Sequence, residues 1–147
     1  MKTKKIKTLY ERDLRKLKNE ISLYTSENKL WITDKEITNS AGNLCLHLIG
    51  NLNHFIGNIL GKAEYIRNRE EEFSEKNVSK IDLLNSIDET MQIIKDSLKL
   101  MNNKQLEEDY PVLKFEEEES VEFLLIHLLL HLNYHLGQIN YHRRFFN

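Results

Sequence analysis

The chain has few of the residues that break helices or cross-link a fold. Only five glycines and one proline occur in 147 residues, too few for the many tight turns of a β-sandwich. Cys45 is the only cysteine, so no intrachain disulfide can form and a disulfide-stapled secreted scaffold is excluded. These scarcities favour a fold built from long helices.

The chain also lacks an excess of either charge and any long uncharged apolar run. Its net charge of −2 with neutral histidines provides no basic face for nucleic acid. No stretch reaches the roughly 18 apolar residues that span a bilayer, and the N-terminus has no apolar signal-peptide core. We therefore expect a cytoplasmic protein that binds neither nucleic acid nor a membrane.

Length and composition are those of an ordinary globular protein. Apolar residues make up 40% of the chain and charged residues 30%, which argues against global disorder. A chain of this length encloses one core, and no internal repeat or linker divides it. We expect residues 1–147 to form a single domain.

Four segments show the three- to four-residue apolar spacing of amphipathic helices. The predicted helices run from about Lys5 to Tyr24, Ser40 to Leu60, Ser79 to Met101 and Ser120 to Phe146. The last three begin at serine, a good N-cap residue. Residues 28–39, 62–77 and 102–118 connect them, the middle segment as a long, strongly charged crossover. The prediction is an all-α four-helix bundle with a long crossover connection.

The second predicted helix is almost uncharged over SAGNLCLHLIGNLNHFIGNILG. A solvent-facing helix would carry charges on one side, so this one must be buried on most sides. Its glycines recur at steps of eight and seven residues at Gly42, Gly50 and Gly57, and Gly61 follows four residues later. This spacing predicts the close approach of another element.

The six histidines are confined to two of the predicted helices. The second helix carries His47 and His54, and the last carries His127, His131, His135 and His142. Steps of four and seven residues return to the same helix face. His127, His131 and His135 therefore lie on one stripe in successive turns, together with Gln138 and His142.

This histidine pattern predicts a metal site. An i, i+4 histidine pair presents two imidazoles at chelating separation. His47, in the middle of the most apolar helix, is the natural third ligand, because a buried imidazole without a partner is costly. Three protein ligands leave a fourth position for water or substrate, as in catalytic sites. By spacing alone, the pairs His127–His131 and His131–His135 are equivalent.

These residues have alternative roles that the sequence supports less well. A buried histidine is often a hydrogen-bonded core residue. The zinc-protease motif HExxH is absent, and neither the second nor the last helix has the Glu-x-x-His pairs of di-iron bundles. Cys45 lies about 200° around the helix from His47, which predicts a buried small hydrophobe rather than a ligand.

Several polar residues are candidates for a pocket beside the metal. Asn51 lies one turn after His47 on the same face, while Tyr134 and Gln138 flank the histidine stripe. In the crossover, Arg67 and Arg69 could hold an anionic substrate, but the adjacent Glu70–Glu72 favours a solvated salt-bridge cluster. A general acid or base would come from Glu64, Glu72 or His127, provided that the crossover folds over the site.

The closing sequence HLLLHLNYHLGQINYHRR resembles the last motif of the DinB/YfiT-like superfamily, whose fourth helix often ends in HxxxHxxHRGQ or a close variant. SAGNLCLHLIGNLNHFIG resembles the segment around that superfamily's first ligand, a histidine followed by Leu or Ile. The blocks YERDLRKLKNEI, NSAGNL and YIRNRE extend the likeness over nearly the whole chain. Together they resemble a branch of metal-dependent DinB-like proteins without an assigned activity.

The resemblance implies a bundle with a metal triad of one histidine from helix two and two from helix four. Matched residue by residue, these are His47, His131 and His135, and His127 becomes a pocket residue. The resemblance leaves His54 and His142 in the surroundings of the site or on the surface. The arginine that often precedes Gly-Gln in this family is Leu136 here, so its role does not carry over. Three imidazoles accommodate several divalent metals, of which we favour Zn or Ni.

Relatives in that superfamily include transferases that use bacillithiol, mycothiol or glutathione, and a maleylpyruvate isomerase. A three-histidine site lowers the pKa of a bound water or thiol. The leading hypothesis is a metal-dependent transferase that activates a low-molecular-weight thiol to attack a small electrophile. The alternatives are a metal-dependent hydrolase and a non-enzymatic metal-binding or interaction protein. We also expect a homodimer.

Overall fold

A computed structural model describes residues 2–147, and in that range the chain is helical with no β-strand. The α-helices are α1 (Lys2–Ser22), α2 (Ala41–Leu52), α3 (Arg69–Ser74), α4 (Lys80–Lys99), α5 (Asn103–Glu107) and α6 (Val121–Phe146). A 3₁₀ helix, Glu27–Trp31, precedes α2, and a π-helix, Asn53–Asn58, follows it directly. The expected all-helical class is confirmed.

The four long helices bury one apolar core between them. α1 packs against α4 and α6, and α2 packs against the same two helices. Each contributes fully buried apolar side chains, among them Leu17, Leu48, Ile87 and Leu132. The pairing of α2 with α6 positions the candidate site, because it faces the two histidine-bearing helices toward each other.

The predicted helix starts are confirmed by the capping contacts. The side chains of Ser40, Ser79 and Ser120 each accept a hydrogen bond from the backbone amide three residues later. Each cap satisfies one amide that has no partner within the helix. These three helix starts are determined by neighbouring residues, so the sequence predicts them.

α2 is buried on most sides, as its uncharged sequence predicts. Of its helical residues, all but Leu46 and Ile49 are buried. No helix in residues 2–147 is long and apolar enough to cross a bilayer. The apolar character of α2 is therefore used within the core.

The second helix does not continue as a regular α-helix to Leu60. After Leu52 the chain widens into the π-helix, in which the Ile59 amide donates to the His54 carbonyl five residues earlier. The segment ends at Lys62, whose φ of 59° is left-handed. The apolar spacing of the sequence does not reveal this change. π-turns are rare and often occur at functional sites.

The connections contain short helices that the apolar spacing does not predict. One side chain of each short helix is buried, and these are Leu30, Glu72 and Leu106. In the crossover, the Asn43 amide group on α2 donates to the backbone carbonyls of Glu72 and Glu75, at 3.0 and 2.8 Å. These bonds hold α3 against α2, next to His47.

Candidate metal centre

The structure brings His47 of α2 together with His131 and His135 of α6. The Nε2 atom of His131 lies 3.2 Å from Nε2 of His47 and 3.1 Å from Nε2 of His135. One nitrogen from each ring falls within 4.8 Å of both others. The three predicted ligands therefore form a group that could hold a metal ion.

Hydrogen bonds on the far side of two rings determine which nitrogen faces the centre. Nδ1 of His47 lies 3.0 Å from the Glu72 carboxylate, and Nδ1 of His135 lies 2.7 Å from the Gln138 side-chain oxygen. Both oxygens accept hydrogen bonds, so each Nδ1 carries the proton. With Nδ1 as the protonated nitrogen of a neutral ring, His47 and His135 would each direct an Nε2 lone pair toward His131.

A cation among the three rings would satisfy both lone pairs, whereas His131 Nε2 can donate at most one proton to one of them. In tetrahedral zinc sites the Zn–N distance is about 2.0–2.1 Å, which puts ligand nitrogens roughly 3.3 Å apart. The observed spacings of 3.1 and 3.2 Å are close to that value. The donor set thus fits a divalent ion with three imidazole ligands.

The surroundings keep the central rings neutral, which is the form that binds metals. Burial, reinforced by the neighbouring His135 and His47, lowers the pKa of His131 to about 4. Burial also lowers the pKa of His135, although its hydrogen bond to Gln138 opposes the shift. Near neutral pH both rings are available as ligands.

The prediction that the crossover charges form a solvated salt-bridge cluster is wrong for Arg67 and Glu72. Glu72 is only 6% exposed and receives two hydrogen bonds of 2.8 Å from the Arg67 guanidinium. Burial raises the pKa of Glu72, but the bonds from Arg67 and His47 outweigh it, so the net pKa is lowered. The pair is buried because α3 lies on α2, a long-range contact that charge patterning cannot reveal.

Gly50 creates the space that Glu72 occupies. A Cβ atom at this position would fall on the Glu72 carboxylate. The glycine spacing predicted the close approach of another element, and at Gly57 and Gly61 that element is α4, through Ile93 and Ser97. At Gly50 the element is the crossover, which thereby reaches His47 with an orienting carboxylate. Such outer-shell carboxylates set ring orientation and raise ligand basicity.

The four residues predicted to line a pocket lie at different places relative to the three histidines. Asn51 is 5% exposed and lines the cleft beside the triad, and Gln138 bonds His135. Tyr134 is 66% exposed, with its ring 5.3 Å from that of His135. His127 packs edge-on against Phe115 at 4.9 Å and is not part of the three-histidine group. The structure thus groups His131 with His135.

Two further histidines and the cysteine lie outside the triad. His54 lines the cleft from the π-helix. His142, expected in the surroundings or on the surface, is instead a buried core residue: Tyr24 Oη lies 2.7 Å from its Nδ1, and its Nε2 lies 2.8 Å from the Ile32 carbonyl oxygen. Cys45 is buried, which raises its pKa to about 12, consistent with the predicted hydrophobic role.

A cleft of about 830 Å³ opens beside His47 and His131. Its wall includes Lys114, which sequence analysis did not single out, because a lone lysine in a polar connection carries no pattern. The sequence indicates Glu72 as part of a solvated charge cluster or as a conditional acid or base, and its contact with His47 joins residues 25 positions apart. Neither residue has a local signal that reports its place at the site.

Comparison with known proteins gives one family. Residues 3–147 match the model of a family described as a protein of unknown function, DUF1572. Neither a curated protein nor a solved structure matches the chain. Because the match extends over nearly the whole sequence, the chain belongs to the DUF1572 family.

Proposed function

We propose that this protein is a single-domain, DinB/YfiT-like four-helix bundle that acts as a metal-dependent thiol transferase. The observation that carries the proposal is the convergence of three imidazole nitrogens, with Nε2–Nε2 distances of 3.1 and 3.2 Å, beside an open cleft. Three protein ligands without a fourth are typical of catalytic rather than structural zinc sites.

Some residues of the chain would hold the metal ion, and others orient the ligand rings. His47, His131 and His135 would hold the ion, while Glu72 and Gln138 fix two of the rings with Nε2 facing inward. When bound, a divalent metal lowers the pKa of a thiol or water and so supplies a nucleophile near neutral pH. A neutral ligand set leaves the positive charge of the ion uncompensated, which favours a thiolate.

The transfer itself is a substitution at an electrophilic carbon. The sulfur atom forms a bond to that carbon, and the leaving group departs with its electron pair. The thiol proton passes to solvent through the cleft. No oxidant or reductant is required, and the protein supplies position and electrostatic stabilisation.

The contacts of Glu72 favour this reaction over hydrolysis. A metal-assisted hydrolase needs a free general base beside the attacking water, and Glu72 is a crossover carboxylate that contacts one of the three histidines. Its two oxygens already bind Arg67 and His47. A carboxylate with these partners orients a ligand and is poorly suited to accept a proton.

The activity is tested by assaying the zinc- or nickel-loaded protein with several cellular thiols and a chromogenic electrophile. We expect thiol-dependent turnover, and we expect His135→Ala to lower it by at least about a hundredfold, since loss of even an outer-shell partner typically costs 10- to 100-fold. Protein stripped of metal serves as the control. Equal rates for the wild type and His135→Ala with every thiol would refute the transferase.

A continuous apolar stripe covers the solvent-facing side of α6. Its large side chains are between 45% and 78% exposed, and they are Phe123, Ile126, Leu130, Tyr134, Tyr141 and Phe145. Their spacing places them on one helix face. Because the solvent side of a helix is normally polar, this stripe is typical of a surface that packs against another protein.

We propose that a second copy of the chain covers this stripe, in an antiparallel pairing of two α6 helices. The acidic segment Glu116–Glu119 precedes α6, and Arg144 lies near its end. Antiparallel pairing sets the acidic end of one copy beside the basic end of the other. Arg144 is not in any ion pair within residues 2–147, so it is free for that contact.

Leu130→Glu should convert the dimer to a monomer, because it buries a charge at the centre of the stripe. The mass is measured by size exclusion with light scattering. Leu100→Glu, which adds the same charge at a site 87% exposed beyond α4, should leave the dimer intact. A monomeric wild type at micromolar concentration would contradict the pairing.

A further inference from the structure

The cleft beside the triad carries positive charge that the metal chemistry does not use. Three of its lining residues, Arg67, Arg69 and Lys114, are basic, and none is acidic. They come from the crossover and from the connection that precedes α6. Two separate segments therefore direct cations into the same cleft.

Two of these three cations are available to a ligand. The charge of Arg67 is neutralised by its two bonds to Glu72. Lys114 and Arg69, in contrast, take part in no ion pair within the described range 2–147. A lysine and an arginine that line one cleft and take part in no ion pair indicate a site for an anion.

Aromatic rings hold both cations in place. The Lys114 ammonium lies 4.5 Å from the Phe55 ring centroid and 5.4 Å from that of Phe115. The Arg69 guanidinium lies 5.5 Å from the ring centroid of Phe73. Cation–π contacts of this kind fix the position of a charge without neutralising it. The lysine lines the same cleft as His47 and His131.

A buried acceptor in the same wall lacks a partner. Asn51 lines the cleft and is 5% exposed, and its Oδ1 atom has no hydrogen bond in the described chain. Buried polar atoms are nearly always satisfied, so this oxygen indicates an N–H or O–H donor on the ligand. The neighbouring π-helix adds His54, Phe55 and Asn58 to the wall.

We propose that the cleft binds a small molecule that carries a carboxylate or phosphate group and an N–H or O–H group. Lys114 and Arg69 hold the acidic group, and the Asn51 side-chain oxygen accepts a hydrogen bond from the N–H or O–H group. The rest of the molecule then extends toward His47 and His131. This assignment deepens the proposed function by naming the substrate class. The anion site itself does not depend on a bound metal.

The anion site is tested first on metal-free protein with glutarate and with inorganic phosphate, by isothermal titration calorimetry. Lys114→Gln and, separately, Arg69→Gln should each raise the dissociation constant of the preferred anion about tenfold, because each removes a charge-assisted hydrogen bond. Lys104→Gln, at an exposed lysine of α5, should leave it unchanged. The stronger binder of the two probes identifies the acidic group.

A matched pair of thiols then tests the site on zinc-loaded protein. N-acetylcysteine carries a carboxylate that N-acetylcysteamine lacks. The wild type should prefer the first about tenfold, and Lys114→Gln should remove the preference without weakening the second. If zinc is not held, the thiol comparison fails with the proposed function while the glutarate result still stands. Anion binding that is absent, or equal in the wild type and Lys114→Gln, would overturn the anion site.

Discussion

Protein carrying His131→Ala is expected to retain no divalent metal after dialysis, whereas the wild type retains one ion per chain. His131 is the central donor, because its Nε2 faces the Nε2 atoms of both other rings. Its loss should weaken binding by more than about a hundredfold, the upper range for loss of an outer-shell partner alone. Metal content is measured by elemental analysis after loading with zinc or nickel.

His127→Ala is the matched control for this experiment. It removes an imidazole from the same helix one turn earlier, but His127 packs on Phe115 outside the group of three. This variant should keep the metal. Equal retention by the wild type and His131→Ala, or equal loss in both histidine variants, would contradict the assigned ligands.

Thermal unfolding provides a second readout that separates lost binding from lost folding. A ligand at a hundred times its dissociation constant stabilises the folded state by about 2.7 kcal/mol. The midpoint of the wild type should therefore rise with added zinc, and that of His131→Ala should not. Without metal, the variant should be no less stable than the wild type, since it relieves the convergence of lone pairs.

Gly50→Ala is expected to destabilise the metal-free protein by about 3 kcal/mol, in the range for breaking a buried ion pair. The added Cβ would fall on the Glu72 carboxylate, which must then leave Arg67 and His47. The free energy of unfolding is measured by urea denaturation. Metal affinity should also fall, by about 10- to 100-fold, because His47 loses the carboxylate that orients it.

Gly137→Ala makes the same chemical change where nothing opposes it. This glycine lies within α6, and a Cβ there would meet no atom within 4 Å. The substitution should stabilise the helix by roughly 0.5–1 kcal/mol when both variants are measured dilute enough to be monomeric. A Gly50→Ala protein as stable as the wild type would show that Glu72 and Arg67 do not depend on this glycine.

Glu72→Gln distinguishes the orienting role of the carboxylate from its bulk. Glutamine has nearly the same shape but no charge, so it leaves Arg67 unpaired and weakens the bond to His47. We expect a loss of metal affinity like that predicted for Gly50→Ala, without a steric clash. An unchanged affinity in Glu72→Gln would contradict the orienting role.

Local sequence features predicted most of the helical framework. The apolar spacing located the four long helices, and the serine caps marked the starts of three. The period of α6 also placed His127, His131 and His135 on one stripe, because a helix repeats its faces within a few residues. These features depend on neighbours in the sequence.

What only the tertiary structure decided depends on residues far apart in the chain. The packing of α2 on α6 brings His47 to His131 across 84 positions, and it selects the pair with His135 where the period left two pairs equivalent. The folding of the crossover onto Gly50 buries Glu72, which charge patterning assigned to solvent. The cleft in turn collects Lys114 from a connection without any motif. Periodicity reports which side of a helix is apolar, whereas the partner of each side chain is determined by how the helices and connections pack together.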